Sequence, residues 1–193
     1  MGNISNHMKI QSIFVGFLFL AVQISCVTDP LSGDGATEIR LSFNAGPYAG
    51  HTLIFTTDNA ETDLRYYKVD QKTRVFCQPL HSSDGRNMQA SSSINFAWLG
   101  TAGSGAFTTV NFQDPKSLNC GTIDLSYSDG ESLVMYWPSG DQLTIDEYNE
   151  PGNVVVGHHL LNGELLHEKN GQTKAYSCAC DVSFKIHRGA DGN

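Results

Sequence analysis

Basic residues are scarce in this chain. Its 193 residues carry 12 Lys and Arg against 20 Asp and Glu, a net charge of −8 with histidines neutral. A protein that reads the nucleic-acid backbone needs a basic surface, so this balance argues against one. It argues equally against electrostatic docking on anionic lipid. Long apolar runs are lacking too. The longest, at residues 13–22, is about half the ~20 residues a helix needs to span a bilayer, so no transmembrane anchor is expected. No segment keeps a 3.6-residue apolar period, and no internal repeat or low-complexity tract is present.

The N-terminus holds the three parts of an export signal. Lys9 supplies a basic start, residues 13–22 an apolar core, and Gln23-Ile24-Ser25 leads into Cys26. This start resembles the signal of bacterial lipoproteins, which is cut just before a cysteine that then carries lipid. Ser25 suits the residue before the cut. Gln23 stands where that family usually has an aliphatic residue, a departure more common in relaxed lipoproteins such as those of spirochaetes. The alternatives are an ordinary signal cut near Ser25 and retention as a membrane-anchored segment. Met8 is a second candidate start. Myristoylation is set aside because Asn6 replaces the Ser or Thr it requires. The resemblance implies lipidation at Cys26 and a place at the outer membrane or cell surface, since Val27 is not the Asp that marks inner-membrane retention. Without lipid on Cys26 the protein would be secreted.

The expected organisation is a signal over 1–25, a lipid-anchored tether over 26–37, one domain over 38–187 and a disordered tail over 188–193. Lys9 is the only charged side chain in 1–25, so the exported part keeps all 20 acids. Setting Cys26 aside leaves Cys77, Cys120, Cys178 and Cys180, an even set that in an exported chain suggests two disulfides. Cys178 and Cys180 point the same way on a strand, so each is expected to reach Cys77 or Cys120. A Cys77–Cys120 bridge with a free Cys178/Cys180 pair is the alternative.

From Glu38 onward the signal is β. Ile39, Leu41 and Phe43 alternate with polar neighbours, and further strands are expected at 51–57, 64–69, 73–78, 93–99, 107–112, 122–127, 133–137, 142–148 and 154–161. Turns rich in Gly, Asp and Ser separate them. The last strand is the most regular: Tyr176, Cys178, Cys180, Val182, Phe184 and Ile186 share one face. The expected fold is an all-β antiparallel sandwich, jelly-roll-like or Greek-key, of about ten strands.

Candidate chemistry is thin. His158, His159 and His167 cluster in one region, but His158 and His159 fall on opposite strand faces and cannot share one metal without a bulge, and no zinc spacing accompanies them. Asp58, Glu61 and Asp63 lack the spacing of a calcium loop and read as a solvated acidic loop, as do Asp146, Glu147 and Glu150. Ser104 lies in a glycine-rich turn without the pattern of a nucleophile elbow. No catalytic residue, metal or cofactor is expected. Tyr66, Tyr67, Trp98, Tyr136 and Trp137 divide between core filling and exposed anchors.

The run Leu143-Thr144-Ile145-Asp146-Glu147-Tyr148, the glycines at 152, 157 and 163, and the closing Val182-Ser183-Phe184-Lys185-Ile186 together resemble a loose group of small exported bacterial β-sandwich proteins, often lipoproteins. His158-His159 after Gly157 departs from the Thr-Phe common there. The resemblance implies no catalytic residues. The expected role is therefore a surface lipoprotein acting as a binding module for a protein or glycoprotein, an adhesin for host or matrix glycoproteins being the narrower case. The alternative is a structural or assembly lipoprotein with an envelope partner.

Overall fold

A computed structural model describes residues 37–58, 63–99, 105–110, 119–138 and 142–193, with backbone alone at 106–110, 119–120, 137–138 and 142. The expected signal, Cys26, Glu61, Ser104 and the side chains of Cys120 and Trp137 lie outside what is described. The strands are β1 (Glu38–Phe43), β2 (Thr52–Thr57), β3 (Leu64–Tyr67), β4 (Lys72–Cys77), β5 (Leu80–Ser82) and β6 (Ser93–Leu99). They continue with β7 (Gly105–Val110), β8 (Asn119–Ser126), β9 (Ser132–Pro138), β10 (Gln142–Tyr148), β11 (Val154–Lys169) and β12 (Gln172–His187). Every ladder between them is antiparallel.

Several of these strands are halves of longer ones. Along β4 and then β5, the partners run back from Tyr67 to Leu64 on β3 and then from Thr57 to Phe55 on β2. Along β7 and then β8, they run back from Ile145 to Gln142 on β10 and then from Pro138 to Ser132 on β9. The chain thus lays down β1, β2/β3, β4/β5, β6, β7/β8, β9/β10, β11 and β12 as eight lines, each antiparallel to the next. The last line pairs with the first, from Glu38 opposite Lys185 to Phe43 opposite Cys180. The all-β antiparallel expectation holds. The pairing forms one sheet of twelve strands that closes on itself as an up-and-down barrel, where two facing sheets were expected. Closure removes both sheet edges over most of the molecule.

Alternation fixes which face is inside. Ile39, Leu41 and Phe43 of β1 lie opposite Phe184, Val182 and Cys180 of β12, and all six are buried. Ile94, Ile123, Met135 and Leu165 form a second buried row of opposite partners around the other side. Outward positions are mostly polar, as with Arg40, Ser42, Asn162, Glu164, Glu168, Asp181 and Lys185. A membrane-spanning barrel needs the reverse polarity, apolar outside and polar within. Among the described residues no helix is long and apolar enough to cross a membrane. Eight strands leave an interior that side chains can just fill. Between Ile94, Phe96, Ile123, Leu143, Leu161 and Phe184 they nearly do: the space left there is about 10 Å³, about one water.

Gly157 makes this packing possible. A Cβ there would lie 2.6 Å from Phe184 Cζ and 2.7 Å from the Thr144 carbonyl oxygen, so the ring of Phe184 covers bare backbone. The long β11–β12 hairpin turns at Asn170-Gly171, whose φ values of 54° and 71° are those of the two-residue turn matched to strand twist.

Three expectations change. Residues 188–193 are not a loose tail: Gly189 N donates to Leu64 O at 2.8 Å and Gly192 N to Tyr66 O at 2.8 Å, filling the seam beside β3. Thr37, expected in the tether, is buried and donates to Asp63 at 2.8 Å. The disulfides expected among Cys77, Cys120, Cys178 and Cys180 are not present among the described residues: Cys77, Cys178 and Cys180 are buried free thiols. The ladder explains this. Cys77 lies opposite Ile94 on β6, while Cys180 lies between Phe43 and Leu161, so the strands carry them to different walls of the interior.

Candidate functional site

One end of the barrel gathers the connections 44–51, 83–92, 127–131 and 170–171. Its centre is Glu131, at the start of the strand after the 127–131 turn. Gly130, with φ +86°, lets that turn close, and Asp129 Oδ1 accepts the Glu131 N–H at 3.1 Å. This local bond points the Glu131 carboxylate inward, where its side chain is 3% exposed.

Four side chains from three other segments converge on that carboxylate. Arg86 Nη2 donates to Oε2 at 2.8 Å, Lys169 Nζ to Oε2 at 3.0 Å and Tyr48 Oη to Oε1 at 3.1 Å. His167 Nε2 lies 2.8 Å from Oε1. Arg86 also donates to Asp129 at 3.0 Å and to the Tyr48 hydroxyl, and its guanidinium stacks 3.6 Å above the Tyr127 ring. A second Asx turn presents Arg86: Asp84 Oδ1 accepts both the Arg86 N–H and the Ser82 hydroxyl. His167 and Lys169 share the inward face of β11 because they are two residues apart on a strand.

Burial opposes the charge on Glu131, but the hydrogen bonds from Lys169, His167 and Tyr48 and the nearby Arg86 outweigh it. They hold the carboxyl at about 2, below its ordinary value of 4.5. Burial also opposes the Arg86 charge, and Tyr48, Asp129 and Glu131 again outweigh it and hold the guanidinium firmly protonated. Burial, then Glu131, pushes the Tyr48 phenol up. A carboxylate with its lone pairs occupied and its proton affinity this low is a poor general acid or base. The cluster instead ties three loops and the end of β11 into one surface.

Beside Arg86 lies a cleft of about 370 Å³ lined by residues between Pro79 and Ala90, among them the exposed Asn87 and His81. Gln78 Nε2 donates to the Ala90 carbonyl at 2.6 Å and ties the two ends of that loop together.

The residues singled out from sequence distribute differently. His158 is exposed and 3.1 Å from Asp146, whereas His159 is buried, and His167 stands apart in the Glu131 cluster. No group of His, Cys, Asp or Glu among the described residues is arranged to hold a metal ion. Asp63 overturns the reading of a solvated loop: it is fully buried and accepts from Thr37 and Thr57. Burial raises its carboxyl against the lowering effect of those two hydroxyls. Asp58, Asp146, Glu147 and Glu150 are exposed. Trp98 is core, Tyr136 is half exposed, and Tyr66 and Tyr67 are both partly buried. Glu131, Arg86 and Tyr48 were not legible from local pattern. The one available signal was Tyr127-Ser128-Asp129-Gly130-Glu131, a turn followed at once by an acid at a position that alternation assigns to the interior.

No protein-family model, curated protein or solved structure matches this chain.

Proposed function

We propose that this chain is an exported binding module, displayed on the cell surface by lipid on Cys26, that engages a protein or glycoprotein ligand through the loop end built around Glu131. The observation that carries this reading is the contrast between the two parts of the barrel. Among the described residues, the side chains around Ile94, Phe96, Leu143 and Phe184 leave an interior space of about 10 Å³, too small there for a substrate. The loop end is held rigid by one carboxylate with four partners and opens beside them into a cleft of about 370 Å³. A pre-ordered loop surface loses little conformational entropy on binding. An acidic chain with a polar exterior suits life in solution at the end of a tether. An adhesin for host or matrix glycoproteins is the narrower form of this proposal.

Solid-phase binding to immobilised matrix glycoproteins at physiological salt tests it. Saturable binding to at least one is expected, and uniformly negligible binding overturns the reading. The address has its own test in the mass of the N-terminal peptide from native membranes. An acylated peptide beginning at Cys26 is expected; an unmodified N-terminus removes the lipid anchor from the proposal.

A further inference from the structure

The β11–β12 hairpin outruns its neighbour. Both strands are 16 residues long, about 50 Å if fully extended. On one side β11 stays covered by β9 as far as Glu168. On the other side β12 is covered by β1 only as far as Cys180, opposite Phe43. Asn44 then takes over for one residue, donating its N–H to the Ala179 carbonyl at 3.0 Å and accepting the Ala179 N–H at 2.7 Å. That pair fixes the parity. Ala179 directs its backbone groups away from β11, and the β11–β12 register runs without a shift to Gln172. Ser177, Ala175 and Thr173 therefore direct their N–H and C=O groups the same way. All three side chains are small and exposed, and no strand of the described residues lies beside them.

We infer that the open edge of β12 at Thr173–Ser177 takes an extended, acidic peptide segment of a protein partner as an added strand. Backbone pairing supplies the register, and side chains on alternate residues supply the choice. The charge on the two faces decides what the guest carries. Toward the barrel end the edge shows Lys174, exposed and outside the Glu131 cluster, while the ring of Tyr176 turns in against Gly46. On the outer face, Glu164 and Glu168 flank Ser177 and Thr173 one strand away. A guest strand that turns its acidic residues to the Lys174 face and its apolar ones outward matches the first face. One that presents acids to the outer face is repelled by the two glutamates. The ligand class rests on the binding-module reading, and the site refines it to a linear segment rather than a folded surface.

The test uses a synthetic octapeptide of alternating Glu and Val, with a Lys and Val peptide as counterpart, titrated into the protein while backbone amides are followed by NMR. The acidic peptide is expected to shift and protect the amides of Thr173, Ala175 and Ser177. Ala175→Pro removes an edge donor that the barrel does not use, and is expected to weaken binding at least tenfold with the rest of the spectrum unchanged. Lys174→Glu keeps every backbone donor and is expected to reverse the preference between the two peptides, which keeps the test valid even where the proline disturbs folding. Shifts confined to residues 83–92, equal response to both peptides, or edge amides protected by self-association without peptide each overturn the inference. Edge binding with no glycoprotein capture fails the functional proposal alone. Capture that survives Ala175→Pro fails this inference alone.

Discussion

His167 Nε2 lies 2.8 Å from Glu131 Oε1, joining the far end of β11 to the turn that starts β9. The two residues are 36 positions apart in sequence, and the bond shares its carboxylate with Arg86, Lys169 and Tyr48. The loop end is therefore organised by one acid.

The electrostatic consequence has a definite sign. The folded carboxyl titrates at about 2, below its ordinary 4.5, so its contribution to stability is complete above pH 4.5 and is lost as pH falls toward 2. Glu131→Gln should destabilise the protein at neutral pH by about 1.5–3 kcal/mol, because it leaves Arg86 and Lys169 facing an uncharged amide. Melting curves across this range should show the wild type losing stability below pH 4.5 and the variant changing less. Parallel curves for the two proteins would show that Glu131 is not the titrating partner.

Gly157 is the second sensitive position. Gly157→Ala puts a methyl against Phe184 and against the Thr144 carbonyl, and overpacking of this kind costs about 1–3 kcal/mol or more. Chemical denaturation of the variant should show a lower midpoint with an unchanged slope. Pairing it with Phe184→Leu should recover part of the loss, since the ring is the obstacle on the inner side. An unchanged midpoint in Gly157→Ala would contradict the close approach.

How much of this was legible beforehand depended on the range of the interaction. β6 and β10 coincide with the spans expected from alternation, because period-2 patterning is local. β11 was expected to stop at Leu161 but runs to Lys169, because Asn162, Gly163 and His167 are weak strand formers held in place by ladders on both sides. β5, with three residues, carries too little pattern to be seen. Alternation also reads the same in a sandwich and in a barrel, so closure through the β1–β12 ladder was invisible locally. The Glu131 cluster draws on residues from Tyr48 to Lys169 and has no sequence spacing at all.

The cysteines give a third prediction. Burial, and then the Asp63 charge, pushes the Cys77 thiol well up; burial, and then Cys178, does the same to Cys180. Buried thiols with raised proton affinity react slowly. Maleimide labelling of the native protein without reductant should leave Cys77, Cys178 and Cys180 unmodified, and labelling in denaturant should modify all three. Rapid native labelling would contradict the burial. Failure to label in denaturant until reductant is added would show disulfides in place of the free thiols.

The most direct test of the account is where on the barrel ligand binding resides. Asn87 is exposed at the cleft beside Arg86, and Val69, 84% exposed, stands at the tip of the β3–β4 connection at the opposite end. Binding to a matrix glycoprotein that the wild type captures should be measured for Asn87→Arg and Val69→Glu. At least a tenfold loss for Asn87→Arg with no change for Val69→Glu is the result expected of a binding module that uses the Glu131 end. Loss confined to Val69→Glu, or no capture by the wild type, would contradict it.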